Sequence, residues 1–520
     1  MSWPRPCSRL RTLLLAVSLA FILAWSLSQR HQSPILRPHN IITDPTADRH
    51  SFSSSSSSFS AAPSGAATTN GESHAAASGT HLAGHIKFWS KFQPLLAKYE
   101  PKCEPPLRLG NAASVRFEQA DPNDRADLLD MYPEDVETMR TAHRGFVEDL
   151  RAQSLDLHYL PNTRGLVSTA GGSYLPVLVI SLRMLRQTGS ELPVEVFLAN
   201  DDEYEPYICD VVLPSLNARC VVLSHIFDAV PKTAEIQKYQ FKLFAMLFSS
   251  FEEILFLDAD AFPLLPPETL FTSEPFRSKH MVTWPDFWAT TVSPYYYEIA
   301  AQPDPAAQSI RQSSESGELL LSKKTHTKSL LLSTYYNFWG PDFYYPLLSQ
   351  GAAGEGDKET FVAAALALGE PYYQVTEPIC AIGHGTKGGL AGSAMVQFDP
   401  TEDYALTQQG EWRVLGTSKA APPRAFFIHA NFPKFNPATV FNKDQSVTPA
   451  FADDGSYTRA WTIPEEVIQD FGVDVERRFW KEIVWTACEL EHKFDSWKGQ
   501  KGICKQAKRY WTAMFAGKRS

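Results

Sequence analysis

The chemically richest stretch of this 520-residue chain is ILFLDADAFPL, where an apolar run at 254–257 ends on Asp258, Ala259 and Asp260. Side chains two apart on a strand share a face, so the spacing predicts two carboxylates pointing the same way from the carboxyl end of a buried strand. Two hard oxygen ligands suit Mg²⁺ or Mn²⁺, and such a cation can bridge a diphosphate. The pattern is short, and a polar strand end without metal would read the same way. Far downstream, RAFFIHANFPKFNP reads as a strand at 425–428 followed by His429 and then Lys434. The imidazole can complete the coordination of the two aspartates, and Lys434 can neutralise a departing phosphate without touching the metal. The distant segments together describe one diphosphate site.

The elements that must position these groups are legible around them. In GLVSTAGGSYLPVLVISLRMLRQTGSELPVEVFLAND, the residues Leu175, Leu178, Val179, Leu182 and Leu185 fall on one helical face. Gly189 stands where a helix-ending glycine belongs, and the apolar run at 194–198 follows, so the segment reads as a βαβ unit of an α/β sheet. Ligands of such sheets sit beyond the carboxyl ends of the strands. Asn200, Asp201 and Asp202 lie at one such end, while Gly171 and Gly172 at the other strand-to-helix turn would let backbone N–H groups approach a nucleotide. Glycines also occupy such turns for purely structural reasons. A helix carrying Lys238 and Lys242 leads into the strand before Asp258.

The N-terminal region has a different composition. No charged side chain occurs in residues 12–29, and LLLAVSLAFILAW within them is apolar enough to span a thin bilayer. Arg5, Arg9 and Arg11 precede it, which predicts a cytoplasmic tail at 1–11, a signal-anchor transmembrane helix at 12–29 and a lumenal remainder. Ala24 and Ser26 leave a cleaved signal peptide as the competing reading. Residues 30–81, with SFSSSSSSFSAAPSG at their centre, are too poor in large apolar side chains to order themselves and read as a disordered stem. The lumenal domain is then 82–520, with its core at about 160–440. A net charge of −10 without a long basic run argues against nucleic acid as a partner. The seven cysteines include no CxxC pair. In an oxidising compartment they permit disulfides, Cys209 with Cys220 and Cys488 with Cys504 being nearest in sequence, and buried thiols are the alternative.

Over residues 165–437 the chain resembles the fungal α-1,3-mannosyltransferase family of Golgi type II membrane proteins. The marks are GG-YLP with SLRMLR and LP-EVF, then LDAD, SGELLLSKK, GDKETF and IHANFPKFNP. More distantly, Lys242, Asp258, Ser316-Gly317, Gly356-Asp357 and His429 with Lys434 are similar in order to retaining transferases of the glycogenin type. The resemblance implies a GT-A fold, with helices flanking a mixed central sheet, and places the chain in protein glycosylation at the Golgi membrane. It implies transfer of mannose from GDP-mannose to a mannosylated glycan or glycoprotein, with retention and an α-1,3 linkage. It further implies Mn²⁺, or another divalent cation, on Asp258, Asp260 and His429. Lys242 and Lys434 match its basic residues near the nucleotide and diphosphate.

Such a transfer requires the leaving diphosphate to be stabilised and positive charge on the sugar ring to be tolerated. Candidates near the sugar are Glu315 and Ser316, with Asp357, Glu318 and Glu359 as catalytic carboxylates. Asp357 also precedes an apolar helix at 358–368, where it would serve equally as an N-cap. Trp284, Asp286 and Trp288 are candidates for an acceptor groove, although aromatics at that density more often belong to a core. A UDP-sugar donor and a non-catalytic glycan-binding relative are the alternatives, since the DxD pattern names neither base nor sugar.

Overall fold

The computed structural model describes residues 70–517 except 119–125, 154, 232–235, 238 and 306–310, with side chains described from His81 onward. The expected tail at 1–11, anchor at 12–29, most of the stem and Lys238 lie outside the described residues. Among those described, no helix is long and apolar enough to cross a membrane. Helix α1 (Asn70–Lys98) begins inside the range read as stem, and helix α2 (Pro133–Ala152) follows it.

The βαβ unit forms as its pattern requires: β1 (Leu160–Thr169), α3 (Leu175–Gln187) and β2 (Val194–Leu198), with Gly189 at φ 85° after the helix. The chain continues through β3 (Ala218–Val222), α4 (Gln240–Phe248), β4 (Phe251–Leu257), β5 (Ala261–Pro263), β6 (Met281–Ala289) and β7 (Gln312–Ser322). Next come α5 (Lys323–Phe338), α6 (Thr360–Leu368), β8 (Tyr373–Gln374), β9 (Cys380–Thr386), β10 (Gly389–Phe398), β11 (Ala425–His429), α7 (Val475–Glu489) and α8 (Ile503–Phe515).

Seven strands form one sheet in the order β8-β6-β7-β4-β1-β2-β3. Strand β7 runs antiparallel to β4 and β6, and the other pairings are parallel, so the sheet is mixed. Its central strands are apolar on both faces because both faces are covered. On one side Phe88, Trp89 and Phe92 of α1 and Phe146 of α2 pack with Phe244 and Phe248 of α4. On the other, Leu175, Leu178, Val179 and Leu182 of α3 meet Leu255 and Leu257 of β4.

A second, fully antiparallel sheet has the order β9-β10-β11-β5 and is backed by Phe479, Trp480 and Ile483 of α7 and Tyr510 of α8. Trp284 is buried and donates its indole N–H to Phe398 O at 2.9 Å, bracing the two sheets. It is a core residue and not part of an acceptor groove. Cys209–Cys220 and Cys488–Cys504 are disulfides with Cα separations of 5.5 and 4.5 Å.

Candidate functional site

The chain first passes from one sheet to the other at the Asp258-Ala259-Asp260 segment, which leaves β4 of the first sheet and enters β5 of the second. The sequence pattern placed both aspartates on one strand face; the chain instead turns there, with Ala261 N donating to Asp258 O at 3.0 Å. Two neighbours fix the turn: Asp258 N donates to Gly317 O of β7 (2.9 Å), and Ser181 Oγ of α3 donates to Ala259 O (2.7 Å). Strand β11 pairs with β5 in the register that sets His429 opposite Ala261, and Ala430 N donates to Asp260 O at 2.9 Å. Residues 169 apart in sequence are thereby neighbours.

His429 Nε2 lies 3.1 Å from Asp260 Oδ1 and 4.0 Å from Asp258 Oδ2. One donor atom from each of the three residues falls within 4.8 Å of the others; Asp260 and His429 are buried, while Asp258 is partly open. Two carboxylate oxygens and one imidazole nitrogen with one accessible side fit a hard divalent cation such as Mg²⁺ or Mn²⁺. Lys434 forms an ion pair with Asp260 while 37% of its side chain stays exposed. It therefore touches a metal-ligand candidate, contrary to the expectation that it answers only to the phosphate. Burial opposes ionisation of Asp260, but Lys434 and His429 outweigh it and hold the carboxyl well below its usual range. Burial likewise opposes charge on His429, and the Asp260 carboxylate reverses that, raising the imidazole pKa.

Lys242 of α4 enters from the other side. Its ammonium donates to Ser316 O (2.7 Å) and Ser316 Oγ (3.0 Å) and stands 3.2 Å from Asp258 and 3.5 Å from Asp357. Burial works against its charge, yet the carboxylates of Asp258, Asp357 and Glu315 raise its pKa. Asp357 does not cap a helix: α6 starts at Thr360 after Glu359, without a side-chain capping bond. The Asp357 carboxylate is buried beside Lys242 with its Oδ2 accepting no hydrogen bond, and burial raises its pKa.

Of the two other carboxylates expected in catalysis, one is held in an ion pair and the other is sealed inside the protein beside Glu315 and His429. Glu359 pairs with Arg311 and accepts from Ser313 Oγ (2.8 Å) and Ser314 N (2.9 Å), so its lone pairs serve an internal ion pair. Glu318 has no exposed surface and lies behind Glu315 on β7, where burial and the Glu315 charge drive its pKa well above the carboxylate range. Asp286, offered for an acceptor groove, holds Lys358 at 2.8 Å.

At the β1–α3 turn, Gly172 adopts φ 50°, and a Cβ on Gly171 would meet the Glu203 carboxylate at 2.3 Å. Glu203, absent from the sequence reading, occupies the place expected for Asp201, whose side chain is 70% exposed and bound by His225. Asn436 ties this turn to the Lys434 loop, donating to Ser173 O (2.9 Å) and accepting from Trp497 Nε1 (3.0 Å). Tyr174 is half exposed with its ring 5.8 Å from the Lys434 ammonium, and Tyr239, also open, covers Gly356. Neither tyrosine was anticipated. The available signal was adjacency, Tyr174 to the glycine pair and Tyr239 one helical turn before Lys242.

The site thus belongs to a mixed α/β protein whose acidic turn bridges two sheets, with a histidine and two lysines around it. The sequence model of the mannosyltransferase family matches residues 163–310 and 303–399. The α-1,2-mannosyltransferase MNN2 of Saccharomyces cerevisiae is 31% identical over 67% of this chain and 68% of its own length. The α-1,2-mannosyltransferase MNN21 of Candida albicans is 37% identical over 60% of this chain and 56% of its own. The chain belongs to this mannosyltransferase family. It spans 54–61% of the length of the first four Candida relatives. These relatives carry α-1,2 and not α-1,3 in their names, which overturns the linkage expected above. Among solved structures, the galactosyltransferase LgtC overlaps 59% of this chain and 95% of its own at 12% identity, with a TM-score of 0.32.

Proposed function

We propose that the chain is a GT-A-type, metal-dependent, retaining mannosyltransferase that transfers mannose from GDP-mannose to a mannose-bearing glycan, forming an α-1,2 linkage. The observation that carries this reading is the Asp258, Asp260 and His429 cluster at the junction of the two sheets, in a chain of the mannosyltransferase family. The linkage is taken from the relatives' names. In this reading Asp258, Asp260 and His429 hold Mn²⁺, which when bound supplies positive charge to the leaving diphosphate. Lys434, charged and partly exposed, presents its ammonium to the same leaving group. Lys242 fixes Ser316 and Asp258 and balances Asp357, whose carboxylate then faces the positive charge that develops on the sugar ring. The Gly171–Gly172 turn and the two open tyrosines frame the nucleotide.

Residues 12–29 are the single-pass anchor in this proposal, with the transferase in the Golgi lumen. The preceding arginines and the two disulfides, which belong to an oxidising compartment, support it. The test offers the detergent-solubilised protein a panel of GDP- and UDP-sugars with Mn²⁺ and a mannose disaccharide, and assigns the product linkage by NMR. The expected result is transfer from GDP-mannose with an α-1,2 product. A product from a UDP-sugar alone, or another linkage, would refute the corresponding part.

A further inference from the structure

Strand β7 is irregular where it passes the acidic turn. Its register against β6 steps from Leu319 opposite Thr283 to Glu315 opposite Trp284, so Ser316, Gly317 and Glu318 have no partner on β6. Bulges of this kind re-aim side chains and recur beside active sites. All three nearby functional segments are tied to this one. Gly317 O accepts from Asp258 N at 2.9 Å, and Ser316 takes the Lys242 ammonium on both its oxygens. His429 lies against it: a Cβ at Gly317 would stand 2.6 Å from the imidazole Cε1 and 2.7 Å from Nδ1. The buried Nδ1 has no hydrogen-bond partner, and the nearest carboxylate oxygen recorded beside it is Glu315 Oε1 at 3.8 Å. Glu315 is itself held by Gly317 N, which donates to Oε2 at 2.5 Å.

We infer that this bulge positions the metal centre, Glu315 orienting His429 from its Nδ1 side so that Nε2 faces the aspartates, and Gly317 leaving the space in which the ring lies. Partners on the far nitrogen of a ligand histidine fix its ring and tautomer. The inference rests on the proposed metal site and adds two positioning residues to it, neither of which touches the cation.

The experiment measures Mn²⁺ binding by electron paramagnetic resonance on the full-length protein. It compares wild type, Gly317→Ala, Glu315→Gln, His429→Ala and the double variant Gly317→Ala/His429→Ala, each with its melting temperature. Gly317→Ala and Glu315→Gln are expected to weaken Mn²⁺ binding roughly 10–100-fold. The double variant is expected to bind no more weakly than His429→Ala alone, because both changes act through one ring. Wild-type affinity in both Glu315→Gln and Gly317→Ala, or additive losses in the double variant, would overturn the inference. Should Gly317→Ala fail to fold, Glu315→Gln decides. Absence of Mn²⁺ binding by the wild type refutes the metal reading, and this inference with it; wild-type binding with unaffected variants refutes the positioning role alone.

Discussion

Two buried carboxylates two residues apart make opposite predictions. Asp357 faces Lys242 with Oδ2 accepting no hydrogen bond, whereas Glu359 neutralises Arg311 inside the protein. In Asp357→Asn, Asp258 remains 3.2 Å from Lys242 to balance its charge, and a carboxylate already disfavoured by burial is removed. Stability should change by less than about 1 kcal/mol, while loss of a charge aimed at the reacting sugar should reduce turnover roughly 10²–10³-fold, or about 3–4 kcal/mol. In Glu359→Gln, the new side chain can still accept from Ser313 and Ser314, but its amide faces the Arg311 guanidinium. Breaking one side of a buried ion pair costs about 3–5 kcal/mol, a large part of the roughly 5–15 kcal/mol that stabilises a domain. Melting curves, and mannose transfer measured well below both midpoints, separate the two. Glu359→Gln should melt early yet turn over normally while folded. A Glu359→Gln protein as stable as wild type but inactive, or an Asp357→Asn protein of full activity, would refute the assignment.

Lys434→Ala should lower turnover about 10²-fold and also reduce the Mn²⁺ concentration giving half-maximal activity, because Lys434 and the cation share Asp260; an unchanged metal requirement would show that the ion pair does not compete. Burial lowers the pKa of Lys323 from 10.5 to about 7, outweighing the nearby Glu195 charge, while its side-chain nitrogen donates to Leu247 O and Ser249 O. The unfolded chain therefore binds the extra proton between those values, and stability should rise by a few kcal/mol from about pH 7 towards pH 10. Chemical denaturation across that range should show this rise reduced in Lys323→Met. Reducing the Cys209–Cys220 and Cys488–Cys504 disulfides, which close loops of 11 and 16 residues, should destabilise the protein by about 3 kcal/mol each; an unchanged melting temperature in dithiothreitol would contradict this.

Much of the site was readable because its parts carry local signals. The βαβ unit declared itself through helical periodicity and Gly189, and the residues at 258, 260, 429, 434 and 242 were named from strand ends and resemblance. Their convergence depends on the register of β11 against β5, which no local pattern encodes. The same limit explains the misassigned acids. Glu318 and Glu359 stand among the motif residues in sequence, but one is sealed behind Glu315 and the other is matched to Arg311, 48 residues away. Trp284 turned into the core; on a regular strand Asp286, two positions on, would share its face, but the pairing of β6 with β7 breaks after Pro285. Glu203 replaced Asp201 because Asn200 accepts from Asp202 N and starts a short helical turn that carries Glu203 back towards Gly171.

The most direct test of the account is Mn²⁺-dependent mannose transfer by Asp260→Ala, measured on protein whose circular dichroism and melting match the wild type. Asp260 accepts both His429 and Lys434 and contributes one of the three clustered donor atoms. The account predicts a folded protein with no metal-dependent transfer at any Mn²⁺ concentration. A folded Asp260→Ala protein that transfers mannose at the wild-type rate, with the wild-type dependence on Mn²⁺, would contradict it.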